Sequence, residues 1–253
     1  MTVAKILLKR AKIEGTPLID GNKAIFIWEA KKGQPVPYLV GDFNGWGWQP
    51  DQEAKLTEAV KGIWTHTLTL PRDAYLEYFY TTDHTDPDAR QNDPLSKQRI
   101  TNGMGKFNNY FRMPDAPATR LFKVSKGIPQ GKITKHEIKH DLLLMKGKRK
   151  VWLYAPPVKH PVPLLLVYDG KDYLKRAKLP QIVDNLIAQG KIEPVALAMV
   201  QHAERGRFTE YNASEACLLM VTQLILPLAK EHLNLVDVEQ QPGAYGVLGA
   251  SMG

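Results

Sequence analysis

Cysteine is almost absent: Cys217 is the only one in 253 residues. A single thiol excludes an intrachain disulfide and a thiolate metal site, and it suits a reducing compartment. Long apolar runs are missing too. Leu164–Tyr168 and Pro194–Val200 fall far below the roughly 20 residues that span a bilayer. Met1–Arg10 has only a short apolar patch at Ile6–Leu8, followed at once by Lys9 and Arg10, with no secretory cleavage site after it. A cytoplasmic protein with no membrane partner is expected. There is no phosphate-cradling glycine loop. The one His-x-x-x-His pair, His136 and His140, falls on an expected strand, where such spacing holds the rings far apart. No metal and no cofactor are expected.

What is present belongs to an ordinary globular protein of one or two domains, with 43% apolar and 24% charged residues. The net charge of +8 concentrates between Lys123 and Lys159, notably at Lys146, Lys148, Arg149 and Lys150. A solvated hairpin accounts for it. No nucleic-acid motif accompanies the charge, so no nucleic-acid partner is expected, while an anionic substrate is mildly favoured.

A short helix is expected over residues 5–13. After it the first half reads as short strands between Gly, Pro and Asp turns: 24–30, 37–40, 62–70 and 74–81. This spacing argues for an all-β sandwich. Gly41-Asp42-Phe43-Asn44-Gly45-Trp46, the Tyr78–Tyr80 strand and the Asn92-Asp93-Pro94 turn resemble the N-terminal immunoglobulin-like module ahead of glycogen-branching enzymes and enterochelin esterase-like hydrolases. Trp46, Trp48 and Trp64 have two readings. They form a stacking platform for a sugar or aromatic ligand, or they pack over the Asn-Gly turn and into the core, and packing is favoured. Residues 113–119 read as a linker.

The second half alternates. Residues 131–140 and 149–155 suit a hairpin, and 163–168 form a continuous apolar run like a doubly covered central strand. A helix follows near 173–189, interrupted at Pro180, then a strand at 195–200. A long helix over 213–232, kinked at Pro227, precedes a strand at 244–248. That order predicts a mixed sheet with helices on both faces. The chain closes on Gly249-Ala250-Ser251-Met252-Gly253, which fits G-x-S-x-G, the strand-to-helix turn that lifts a nucleophilic serine out of a sheet.

Val151–Pro157, Leu166–Gly170, Arg207–Tyr211 and Gly249–Gly253, in that order, resemble an enterochelin esterase-like (esterase D-type) α/β-hydrolase. The resemblance implies a multi-domain chain: an immunoglobulin-like sandwich over 1–115, a linker over 116–123, and the first, incomplete part of an α/β-hydrolase domain over 124–253. It further implies ester hydrolysis through an acyl-enzyme. Ser251 would be the nucleophile, and the oxyanion would be met by the backbone N–H of Met252 and one near Gly170 or Lys171. Arg207 and Glu210 would either line the substrate pocket or pair with each other to brace their loop, the brace being favoured. The substrate would be a small-molecule or polysaccharide ester. In this fold the acid and then the histidine follow the serine, yet all seven histidines precede Ser251. The expectation is a piece of a longer hydrolase, without turnover in this form and with a poorly stable second domain. The alternative is a carbohydrate-binding or regulatory module on a hydrolase-like scaffold.

Overall fold

The computed structural model describes residues 2–47, 54–102, 106–145, 147–212 and 214–253. Trp48 lies outside them. The chain divides into two compact units, Met1–Ala118 and Thr119–Gly253.

The first unit opens with α1 (Val3–Glu14), which ends where Gly15 takes φ 97°. Its Ala4, Leu8 and Ala11 fall on one face and pack against Leu18, Ile27 and Ile63. One antiparallel sheet is formed by β1 (Leu18–Asp20), β2 (Lys23–Glu29), β5 (Thr57–Val60) and β6 (Ile63–Thr69), in the order β1-β2-β6-β5. The other runs β4-β3-β7-β10-β9, from β3 (Tyr38–Gly41), β4 (Ala54–Lys55), β7 (Tyr75–Thr81), β9 (Arg99–Thr101) and β10 (Phe107–Arg112). The short β8 (Arg90–Gln91) pairs with β7. Phe26 from the first sheet meets Tyr78 of the second edge-on at 5.0 Å and Phe111 at 5.6 Å. One apolar cluster joins the two sheets.

The Gly41–Trp46 stretch is a self-capped turn. Asn44 Oδ1 accepts from the Gly41 N–H at 2.9 Å, and its Nδ2 donates to the Leu39 carbonyl at 2.9 Å. Trp46 donates from Nε1 to Asp42 at 3.0 Å and stacks on Phe79, 6.0 Å between centroids. Trp64 packs, half buried, against the core.

In the second unit one five-stranded sheet runs β11-β12-β14-β13-β15. It comprises β11 (Lys132–Lys139), β12 (Lys148–Ala155), β13 (Leu164–Val167), β14 (Ala196–Val200) and β15 (Tyr245–Leu248). The β11–β12 and β12–β14 pairs are antiparallel; β13 is parallel to both β14 and β15. All five residues of β14 are buried, as a strand covered on both faces requires. On one face Val151, Leu153, Leu164, Leu166 and Val200 pack with Met220, Ile225 and Ala229. On the other, Trp152, Tyr154, Val167, Leu197 and Met199 pack with Val183. Strand β15 lies at the edge, with Val247 exposed.

The helices differ from the expected pair. The stretch after β13 is two helices, α2 (Gly170–Lys175) and α3 (Leu179–Ala188), separated by left-handed Lys178 just before Pro180. The segment from α4 (Arg207–Tyr211) onward contains α5 (Glu215–Leu219), a π-type stretch over Met220–Ile225, and α6 (Leu226–His232). Pro227 has no N–H and its ring crowds the preceding turn, so the chain widens there rather than stopping. Asn185 of α3 fastens the start of this unit: its Nδ2 donates to the carbonyls of Leu121 and Lys123, and its Oδ1 accepts from Ser125. Among the described residues no helix is long and apolar enough to cross a membrane.

Candidate active site

Strand β15 delivers Ser251. It runs beside β13 in register Leu164↔Tyr245 to Val167↔Leu248, and Tyr168 N–H donates to the Leu248 carbonyl at 3.0 Å. The two chains therefore leave the sheet side by side. Ser251 sits at φ 58°, left-handed for a non-glycine residue, a conformation costing about 1–3 kcal/mol. Gly253 N–H closes the turn on the Ala250 carbonyl at 3.0 Å. A Cβ on Gly249 would fall 1.9 Å from the Gly253 carbonyl carbon, so only glycine fits beneath the serine. The Ser251 side chain is exposed.

The neighbouring turn begins at Asp169, also left-handed at φ 51°. A Cβ on Gly253 would lie 2.8 Å from Asp169 Oδ2 and 3.2 Å from Tyr168 Cβ, which puts the elbow against this turn. Gly170 opens α2, pressed so closely on β14 that a Cβ would meet the Met199 carbonyl carbon at 2.4 Å. The first bond of α2 runs from Asp172 N–H to the Asp169 carbonyl at 2.8 Å. The amides of Gly170 and Lys171 precede it, and such leading N–H groups have no partner within a helix.

Asp169 is gripped from α4. Arg207 donates from Nε to Oδ1 at 2.8 Å and from Nη2 to Oδ2 at 2.6 Å, a bidentate fork. Hydrogen bonding to Asp169 raises the pKa of Arg207. The Asp169 N–H donates to the Tyr211 hydroxyl at 3.3 Å. Burial pushes the Tyr211 pKa up, so this hydroxyl stays neutral. Its ring packs on Tyr168, 5.0 Å between centroids. Burial likewise takes Tyr168 up to about 12.

His202, just past β14, reaches the same turn, with Nε2 4.0 Å from Asp169 Oδ1. That is too long for a hydrogen bond. Burial lowers its pKa, against the pull of Asp169. Among the described residues no hydrogen bond joins Ser251 to a histidine, and no three His, Cys, Asp or Glu side chains group as a metal ion would need.

Ser251, Met252, Gly170, Lys171 and Arg207 thus converge on two adjacent turns. Glu210 does not join them. It does not pair with Arg207 either, which corrects the expected brace. Its carboxylate is 1% exposed. Oε1 accepts from Arg149 Nε at 2.8 Å and from Arg149 Nη2, while Oε2 accepts from Ala203 N–H at 2.8 Å. A carboxylate so enclosed and satisfied has nothing left for a substrate. The brace exists, but it ties α4 to β12. Sequence reading overlooked Asp169, taken only as a strand terminator. The available signal was the i, i+4 spacing of Arg207 and Tyr211, which puts a cation and a hydroxyl on one helical face.

The fold is that of ester hydrolases. The enterobactin esterase FES from Shigella flexneri, solved with 2,3-di-hydroxy-N-benzoyl-serine, superposes with a TM-score of 0.65 at 18% identity, over 91% of this chain and 64% of that one. The ferric enterobactin esterase from Salmonella typhimurium gives 0.68 at 15% identity, over 91% and 65%. This chain therefore spans about 64% of the length of the Shigella enzyme, and at such identities the likeness is one of fold. A ferulic acid esterase from Anaeromyces mucronatus aligns over 54% of this chain with a TM-score of 0.42. No family model and no curated protein sequence matches.

Proposed function

We propose that the protein is a carboxylic-ester hydrolase working through Ser251, with an immunoglobulin-like first unit and, from about residue 124, the first part of an α/β-hydrolase domain. One observation carries this reading: Ser251 stands exposed and left-handed at the end of β15, against the turn that starts α2. That is the arrangement a nucleophile elbow needs.

In the reaction Ser251 Oγ bonds to the ester carbonyl carbon while its proton passes to a histidine base, and the carbonyl electron pair moves onto oxygen. The N–H of Met252 and of Gly170 or Lys171 receive that oxyanion. The C–O bond to the alcohol then breaks, the base returns the proton to the departing oxygen, and water frees the acyl group by the same route. Fixed donors of this kind contribute about 2.7–4 kcal/mol each to the transition state. The net charge of +8 favours an anionic acyl or alcohol group on the substrate. The small-molecule esters named for the Shigella structures are the first to try.

The reading requires a histidine and a carboxylate within reach of Ser251, so a polypeptide of residues 1–253 alone is expected to show no turnover. The full-length gene product should hydrolyse an activated ester such as p-nitrophenyl acetate, and Ser251→Ala should abolish this. Undiminished hydrolysis by Ser251→Ala would refute the assignment.

A further inference from the structure

Asp169 holds a strained conformation, and everything that fixes it comes from one short helix. Its carboxylate takes both arms of the Arg207 fork, and its N–H is received by the Tyr211 hydroxyl. The two partners stand one helical turn apart on α4. Were Asp169 to relax to a negative φ, the peptide linking it to Gly170 would rotate, and with it the leading amides of α2. Those are the amides that face the elbow, since Gly253 abuts Asp169 directly. Neither Arg207 nor Tyr211 is needed to hold the fold's cores: Arg207 is partly exposed and belongs to no apolar cluster.

We propose that Arg207 and Tyr211 are positioning residues for the oxyanion site. They act through Asp169, keeping it left-handed so that the Gly170 and Lys171 N–H groups point at the oxygen formed on attack by Ser251. This rests on the assignment of Ser251 as nucleophile. It also separates Arg207 from the role of substrate anchor, because the Nε and Nη2 hydrogens that would hold an anion are spent on Asp169.

The test is steady-state kinetics of the full-length gene product on matched neutral and anionic esters, with a boronic acid as transition-state mimic. Arg207→Met should lower kcat about 100-fold on both esters, the loss associated with an ångström-scale misplacement, while KM stays put and boronate affinity falls in parallel. Arg207→Lys should rescue little, because a point charge cannot reproduce the fork. Tyr211→Phe should give a smaller loss of the same kind. Asp169→Gly supplies the decisive background, as glycine takes the left-handed conformation without help. There Arg207→Met should cost little, giving a strongly non-additive cycle. Additive losses, or a rise in KM confined to the anionic ester, would overturn the proposal while leaving Ser251 in place. Hydrolysis surviving Ser251→Ala would instead overturn the underlying assignment.

Discussion

Each unit buries an acidic side chain almost completely, and the two solve the same electrostatic problem in opposite ways. In the first, Asp93 is fully buried and surrounded by neutral donors. Thr16 Oγ1 and Tyr78 OH donate to its Oδ2 at 2.6 and 2.7 Å, and Leu95 N–H donates to Oδ1 at 2.9 Å. Burial raises its pKa and these bonds only oppose that rise. In the second unit Glu210 faces a buried guanidinium, Arg149. A carboxyl among hydroxyls can shed its charge and keep most of its bonds, whereas one paired with an arginine cannot, because arginine does not release its proton. The first arrangement therefore tolerates neutralisation. The second is all or nothing.

The largest test breaks the ion pair. Glu210→Ala leaves Arg149 charged and alone in the interior, and such losses run to about 3–5 kcal/mol. Amide exchange along β12 and β14 should quicken accordingly while β7 and β10 keep their protection. The double change Arg149→Met with Glu210→Leu should recover most of the loss, since apolar replacement of a buried pair is often close to neutral. If the double variant is as unstable as the single one, the pair is not the source of the effect.

Next in size is Asp93→Ala, which strips the acceptor from two buried hydroxyls at about 1–3 kcal/mol, read as exchange in β7 and β10. Asp93→Asn keeps a carbonyl acceptor and should cost clearly less. Equal costs for the two would mean that Asp93 must be ionised, and the contrast with Glu210 would collapse.

The smallest effect is a divergence with pH. Asp93 has a raised folded-state pKa, so its favourable contribution is complete below its usual 3.8 and is lost as pH rises through the folded value. His202 and His136 have lowered values, burial being the main cause in both. Their neutral forms suit the fold above 6.5, and stability drains as pH falls from there. Mild acidification should thus weaken the second unit before the first. The exposed Arg72–Asp115 and Arg10–Glu14 pairs lower their carboxyl pKa values and pull the first unit the other way, but solvent screening keeps such pairs minor. Exchange rates at pH 7 and 5 that change equally in β10 and β14 would contradict the divergence.

Much of the frame was legible because local signals agreed. Ile63–Thr69 and Tyr75–Thr81 alternate and are rich in β-branched and aromatic residues; Ala196–Val200 is apolar throughout; the small residues flanking Ser251 spell out a turn only glycine permits. Partner choice was not legible. Arg207 and Glu210 sit three apart and look like a natural pair, yet the helix sends one to Asp169, 38 residues upstream, and the other to Arg149, 61 upstream. Which charge meets which depends on where β12 and β13 lie beneath α4, and no local pattern encodes that. The short strands at 54–60, 90–91 and 99–101 escaped notice for a similar reason: they are held by pairing to longer neighbours rather than by their own composition.

The widened turn at Met220–Ile225 makes chain length itself a constraint. Ahead of it Met220 faces the sheet, and beyond it Ile225 and Ala229 do so again; the π geometry absorbs the residue that reconciles the two faces. Removing any single residue from this stretch would rotate the remainder of the helix by about 100°, swinging Ile225 and Ala229 toward water. Over its course this helix should accept many changes of side chain yet scarcely any one-residue deletion, so descendants of this sequence would diverge freely in composition here while keeping their spacing fixed.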